Sequence, residues 1–170
     1  MERIRELVET QRDCFDRACF PGHITASAWL LSSDGKRFLL THNRKLGRWL
    51  QLGGHADGDP DVAAVALREA REESGLTELQ FATPGDAPRP IDLDIHLIPA
   101  GGKDPAHHHH DVRFVLVAAP GQTIFASDES TSLEWFEMDA LEAIADDDSV
   151  LRLGRKVRSL LEASALRLFA

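Results

Sequence analysis

The sequence predicts an α+β fold, an α/β/α sandwich in which helices pack on a mixed β-sheet. Two strand-like segments precede a glutamate-rich helix, four more follow it, and an amphipathic helix lies near each end. The 170 residues match one domain, and a hydrophobic content of 43% is enough for one core. We therefore expect a single domain over residues 1–170, with an N-terminal helix (1–20), a main body (22–146) and a C-terminal helix (150–169).

The N-terminal segment predicts an amphipathic helix. Ile4, Leu7 and Val8 belong to an apolar stripe, and Pro21 and the glycine after it end the pattern. The two cysteines of this segment are five residues apart, so on one helix they would lie on different sides. We therefore expect no disulfide bond between Cys14 and Cys19.

The first strands form a hairpin. Residues 23–31 and 37–43 are both β-like, and the Ser-Asp-Gly sequence at 33–35 is a hairpin signal. A loop and a glycine-rich stretch follow. The next helix is predicted to begin with Asp59 as N-cap and Pro60 as first residue, and to end near Ser74.

The remainder of the chain alternates strand and loop signals before two helices. The predicted strands cover 77–82, 91–99, 109–118 and 132–136, with Pro/Gly-containing loops at 84–90 and 99–105. A short helix is predicted over 138–145 and a longer one over 150–168. No internal repeat is visible.

The charge balance restricts the class of partner. The formal net charge is -9, and no basic face stands out, so a nucleic-acid polymer is a poor partner. An acidic protein that handles a phosphate-rich small molecule needs metal cations as intermediaries. The sequence shows neither a secretion signal nor a membrane-spanning run, so we expect a soluble, cytoplasmic protein with no membrane partner.

Three glutamates in the central helix carry the chemical signal. Glu69, Glu72 and Glu73 stand at i, i+3 and i+4 and share one helix face. Like charges at this spacing repel by a few tenths of a kcal/mol per pair, and a hard divalent cation turns that cost into binding. The alternative is a solvated face that Arg68 and Arg71 neutralise.

The surrounding spacing resembles the signature of the Nudix (MutT-like) hydrolase family, G-x5-E-x7-R-E-U-x-E-E-x-G-U, where U is apolar. The matching residues are Gly54, Arg68, Glu69, Ala70, Glu72, Glu73, Gly75 and Leu76. Pro60 stands where the signature has its first glutamate, and Asp57, Asp59 or Asp61 could replace that carboxylate. The departure bears on the number of metal ions more than on the reaction.

The resemblance implies a Nudix fold and metal-dependent hydrolysis of a diphosphate bond in a nucleoside diphosphate linked to another moiety. Glu72 and Glu73 would be the principal ligands of Mg²⁺ or Mn²⁺, helped by the backbone carbonyl of Gly53. Glu69 would be a further ligand or the base that deprotonates the attacking water. Arg68 would hold the carboxylates in place.

Histidines and aspartates form a second candidate site. If segments 91–99 and 109–118 pair antiparallel about Gly102 and Lys103, Asp94 lies opposite Asp111 and His96 opposite His109. The candidate residues are His55, Asp57, Asp94, His96, His107, His109 and Asp111. An additional metal site, a set of substrate-phosphate donors and a hydrated polar surface are all compatible with this pattern.

Other functions remain open at this stage. Glu129 is an auxiliary candidate, because family members often supply a further glutamate in that loop. A non-catalytic nucleotide-binding or regulatory domain is one alternative. An isoprenoid diphosphate isomerase is another, but it needs a catalytic cysteine in the fold's core, and both cysteines precede the predicted main body. The sequence identifies neither the small-molecule substrate nor whether the protein is a homodimer.

Overall fold

The structure is a computed structural model that describes residues 2–85, 87–128 and 130–169. Its elements in chain order are α1 (Glu2–Thr10), β1 (Gly22–Leu31), β2 (Arg37–Asn43), β3 (Arg48–Leu50), β4 (Leu52–His55), α2 (Val62–Ser74), β5 (Leu79–Phe81), β6 (Asp92–Ile98), β7 (His107–Ala118), β8 (Ser130–Glu137), a 3₁₀ turn (Met138–Ala140), α3 (Leu141–Ile144) and α4 (Asp148–Glu162). All eight strands belong to one mixed sheet. The predicted α+β class is confirmed.

A parallel pair of strands forms the centre of the sheet. β1 and β7 stay in register from Gly22 opposite His108 to Leu31 opposite Val117. On its other side, each of these two strands pairs with one strand along part of its length and with a different strand further along. β1 pairs antiparallel with β4 over Thr25–Ala28 and with β2 near its end. β7 likewise pairs antiparallel with β6 and then with β5, while β2 is flanked by β3 and β8.

The two faces of the sheet differ in polarity. On one face, the apolar residues of β1, such as Ile24 and Ala26, pack against Val65 and Ala66 of α2. On the other face, the second half of β1 contributes Trp29 to the apolar cluster around α3 and α4. The first half of β1 places polar residues on that same face, namely His23, Thr25 and Ser27. This polar half is the structural basis of the site described below.

The N-terminal helix is shorter than the predicted 1–20, because it ends at Thr10. Residues 12–20 form successive turns instead, one of which has the Ala18 amide donating to the Asp16 carboxylate over 2.8 Å. Cys14 and Cys19 are both buried there and unbridged. A continuous helix would place them on different sides, so turns are needed to bury both.

The segment before α2 also differs from the prediction. Residues 48–50 and 52–55 form the short strands β3 and β4 rather than loop, although neither has the length or alternation that marks a strand. The N-cap of α2 is Asp61, whose side chain accepts from the Ala64 amide over 3.0 Å, and not Asp59. Asp59 instead accepts from the Asp61 amide and so shapes the preceding turn. Gly75 ends the helix in a left-handed conformation, as its position predicts.

The C-terminal helix ends at Glu162, earlier than predicted. The chain then turns at Ser164, which has a positive φ of 51°, and Arg167 donates its amide to the carbonyl of Ala82. Leu166 and Leu168 still pack on the same apolar cluster, which explains why their spacing resembled a continued helix. The predicted helix over 138–145 divides into the 3₁₀ turn and α3. Of the helices in the described ranges, none is long and apolar enough to cross a membrane.

We predict that G154A destabilises the fold, although alanine normally favours a helix by about 1 kcal/mol over glycine. A Cβ on Gly154 would lie 2.6 Å from Leu141 Cδ2 and 2.8 Å from Trp29 Cη2, so α4 could no longer pack this closely. Overpacking of this kind costs about 1–3 kcal/mol. Urea unfolding should show a net loss for G154A and almost no change for S159A on the exposed side of the same helix. A gain in stability for G154A would contradict the packing.

Candidate active site

A cleft of about 730 Å³ opens over the polar half of the sheet. Its floor includes Thr25, Asp111 and Arg113 from β1 and β7, and one wall is formed by the glutamate-bearing side of α2. The edge strand β4 lies between floor and wall. The cleft therefore joins the two groups of polar residues that the sequence singles out.

Strand register arranges the floor in rows of side chains. From β6 across β7 to β1, the rows are His96–His109–His23, Asp94–Asp111–Thr25 and Asp92–Arg113–Ser27. His55 of β4 extends the second row, because it is paired with Thr25. The predicted register of Asp94 with Asp111 and of His96 with His109 is confirmed.

A buried arginine neutralises the aspartates of the floor. The side chain of Arg113 is only 2% exposed. Its Nε donates to Asp111 over 2.8 Å, and its Nη atoms lie 3.1 Å from Asp94 and 3.6 Å from Asp92. Arg152 of α4 reaches Asp92 and Asp94 from the solvent side at 2.9 and 2.8 Å. One buried and two mostly buried carboxylates lie together here because cations approach them from both sides.

Hydrogen bonds and ion pairs show what the aspartates of the second candidate site do in the fold. Asp111 also accepts hydrogen bonds from Thr25 (3.1 Å) and Ser27 (2.7 Å). The hydrogen bond from His96, together with Arg152 and Arg113, holds the pKa of Asp94 well below its usual range. Both carboxylate oxygens of Asp57 accept from Arg17, outside this network. All three aspartates are therefore engaged by donors of the protein itself.

The carboxylate face of α2 is fixed against β4. Arg68 Nη2 donates to the backbone carbonyl of His55 over 3.0 Å, while its Nη1 lies 2.8 Å from Glu69 and 3.3 Å from Glu72. Gly54 makes the close approach possible, since a Cβ there would lie 2.5 Å from the Glu69 carboxyl group. The glycine and arginine of the signature thus position the glutamates relative to the strand.

The glutamates differ in their exposure to solvent. The side chain of Glu69 is 14% exposed, whereas that of Glu72 is 60% exposed. Burial raises the pKa of Glu69 above its ordinary value, although the neighbouring Arg68 opposes the shift. Glu73 lines the same cleft. The helix therefore presents a shielded, more basic carboxylate at Glu69 beside the exposed carboxylate of Glu72.

Histidine rings converge at the other side of β4. The His23 ring centroid lies 5.2 Å from that of His55 and 4.8 Å from that of His109, and the last two are 5.1 Å apart. His107 stacks on His23 at 5.0 Å, and His96 lies 5.4 Å from His109. Burial lowers the pKa of His55 to about 4 and also lowers those of His23 and His109. Burial thus favours the neutral form of each of the three central rings.

His23 is the residue of this cluster that sequence reasoning missed. Its place beside His109 depends on the parallel pairing of β1 with β7, two strands that are far apart in the chain. The available signal was the run of polar residues at alternate positions 23, 25 and 27 of a strand that is otherwise apolar. The auxiliary candidate Glu129 lies outside the described residues.

Comparison with known proteins agrees with the signature. A family model described as the NUDIX domain matches residues 21–153. That range runs from the start of β1 into α4, so it contains both sides of the cleft. None of the curated proteins is similar enough in sequence to give a significant match.

Solved structures of similar fold cover most of the chain. A NUDIX-family hydrolase from Clostridium perfringens has 23% identity and a TM-score of 0.66 over 82% of this chain and 97% of its own. An Ap4A hydrolase from C. elegans in a binary complex has 23% identity and a TM-score of 0.65 over 82% and 98%. The NUDIX domain of Shewanella oneidensis NrtR, complexed with ADP ribose, has 15% identity and a TM-score of 0.61 over 92% and 97%. At these identities the likeness concerns the fold.

We predict that R113M lowers the free energy of unfolding by about 3–5 kcal/mol, because it leaves buried carboxylates without their central cation. The variant R152M removes a different cationic partner of Asp92 and Asp94. Because the Arg152 side chain is 48% exposed, its loss should cost about 1 kcal/mol or less. Chemical unfolding of both variants checks the difference. Equal losses would show that the buried arginine is no more important than the exposed one.

Proposed function

The chain belongs to the Nudix family of hydrolases, and we propose that it splits a diphosphate bond in a small nucleotide-type molecule. The observation that carries the proposal is the carboxylate face of α2, held by Gly54 and Arg68 at the wall of a cleft of about 730 Å³. That volume is within the usual range for small-molecule sites. Lys45 and Arg48 also line the cleft and offer positive charge to phosphate oxygens.

The donors at this wall fit Mg²⁺ or Mn²⁺. They are the carboxylates of Glu69, Glu72 and Glu73 and the backbone carbonyl of Gly53, all of which are oxygen ligands. The missing side chain at Gly54 leaves the Glu69 carboxyl group directly against the strand that carries that carbonyl. When bound, the ion would neutralise charge on the diphosphate and lower the pKa of a bound water.

The protein's own groups have distinct roles in this proposal. Glu72 and Glu73 act as the principal ligands. Glu69 acts as a further ligand or as the base. Arg68 is a positioning residue, since it bonds Glu69, Glu72 and the carbonyl of His55 at once. If Glu69 is the base, the proton of the water would pass to the Glu69 carboxylate while the water oxygen attacks one phosphorus, and the bridging P–O bond would break with the other phosphate as the leaving group.

The alternatives make different demands on the site. Cys14 and Cys19 are buried in the apolar cluster beside α2, and neither is among the described residues that line the cleft. A cysteine-dependent isomerase is therefore not favoured. A non-catalytic nucleotide-binding domain would bind without turnover, which the first assay below distinguishes. Because similar structures include an Ap4A hydrolase and a domain that holds ADP ribose, these two compounds should be tested first.

We predict that hydrolysis of the substrate stops when a chelator is added and returns when Mg²⁺ or Mn²⁺ is restored. The carboxylate face has no other group that could neutralise a transferred phosphoryl charge as strongly. Product release from Ap4A, ADP ribose and related diphosphates measures the effect. Full activity in excess chelator would rule out the proposed chemistry, and metal-dependent binding without products would favour the non-catalytic alternative.

We predict that E73Q and E72Q each reduce turnover by roughly two orders of magnitude or more, since each removes an oriented charge at the reacting centre. The fold should persist, because the shape of the side chain is kept. E78Q is the matched control, as Glu78 is exposed and lies beyond the end of α2. If the three variants had similar turnover, the glutamates would not take part in the reaction.

A further inference from the structure

The histidines around His23 have the geometry of a second metal site of a different kind. One ligand atom from each of His23, His55 and His109 lies within 4.8 Å of the others. They come from three adjacent strands, and the β1–β7 register places His23 beside His109 while His55 is paired with Thr25 one step along. The convergence is therefore a property of the sheet and does not depend on loop conformation.

The hydrogen bonding of His23 prepares it as a ligand. Its Nδ1 lies 3.3 Å from the carbonyl oxygen of Cys19, which can only accept, so Nδ1 carries the proton and Nε2 keeps its lone pair. Nε2 is buried and has no hydrogen-bond partner among the described residues. A buried acceptor without a partner costs about 1–3 kcal/mol, and a metal ion would remove that cost. Metal-binding histidines usually donate their second nitrogen to a backbone carbonyl or a carboxylate in this way.

Neighbouring residues limit the movement of the rings of His23 and His109 and do not compete with them for the ion. His107 Nδ1 lies 2.8 Å from the carbonyl oxygen of Pro105, and its ring stacks on His23. His96 lies against His109 and forms a hydrogen bond with Asp94. The carboxylates nearest the cluster, Asp94 and Asp111, are occupied by Arg113. A bound cation would therefore meet imidazole nitrogens and not free carboxylate oxygens.

We propose that His23, His55 and His109 bind a first-row transition-metal ion, Zn²⁺ in the first instance, whose remaining coordination position opens into the cleft. His55 and His109 line that cleft, whereas His23 is buried behind them. Three protein ligands with one open position are typical of zinc sites that hold water or a substrate oxygen. Imidazole donors select zinc and its neighbours over Mg²⁺, so this site is chemically distinct from the glutamates of α2.

The required movement is small. Tetrahedral zinc with bonds of about 2.0–2.1 Å brings its ligand nitrogens to about 3.3 Å from one another. Starting from separations of up to 4.8 Å, each nitrogen moves inward by on the order of 1 Å. Side-chain rotation supplies that distance, because the backbone positions are already fixed by the strands.

The proposal is tested by metal binding, independently of any substrate. The untagged, metal-stripped protein is titrated with Zn²⁺ in excess Mg²⁺, and with Co²⁺ to record the visible absorption of a tetrahedral site. We expect one ion per chain, and a loss of affinity of at least about 100-fold in H109A, which removes a direct ligand. H108A is the matched control, because the neighbouring side chain on β7 points to the opposite face of the sheet. H55A provides the same measurement from β4 if H109A does not fold.

The variant E73Q distinguishes an ion bound by the histidines from an ion bound by the glutamates of α2. E73Q should bind Zn²⁺ as the unchanged protein does, even where its turnover is lost. Absence of stoichiometric Zn²⁺ or Co²⁺ binding in the unchanged protein would overturn the proposal. Binding that is weakened equally by H108A, or that is lost in E73Q, would place the ion elsewhere and overturn it as well.

Discussion

The parallel pairing of β1 with β7 is the constraint on which the remaining structure depends. The pair is in register over its whole length, from Gly22 opposite His108 onward. Its second half is apolar on both faces and is covered by helices, whereas its first half is polar on one face. Because residues in register point to the same side of a sheet, each polar position on one strand meets a polar position on the other. The floor of the cleft is the direct result.

A polar half-face inside a small domain needs its own stabilisation. Burying carboxylates without partners is prohibitive, and the sequence solves this with Arg113, which is paired with Asp111 and lies close to Asp94 and Asp92. The consequence is functional as well as structural. Since these aspartates are already neutralised, they are poor competitors for a cation, and the cleft offers a cation the imidazoles on one side of β4 and the glutamates on the other.

The sequence predicted those parts of the site that depend on local spacing. The glutamates of α2 follow from helical periodicity, and the pairing of His96 with His109 follows from two strands joined by one short connection. It did not predict the role of His23, because the β1–β7 contact joins positions that are 86 residues apart in the chain, as Thr25 and Asp111 illustrate. The short strand β4 was missed for a similar reason. Four residues with two glycines have no strand propensity, and they are extended because β1 supplies the hydrogen bonds.

β4 explains how two sites of different chemistry can be neighbours. Alternate residues of a strand face opposite sides, so His55 faces the histidines on the floor while Gly54 faces the carboxyl group of Glu69. Arg68 links the two sides, since it bonds both that glutamate and the carbonyl of His55. Oxygen donors on one side suit Mg²⁺ or Mn²⁺, and nitrogen donors on the other suit zinc. A single strand would thus keep two cations apart by donor type, while both remain within reach of one anionic substrate in the shared cleft.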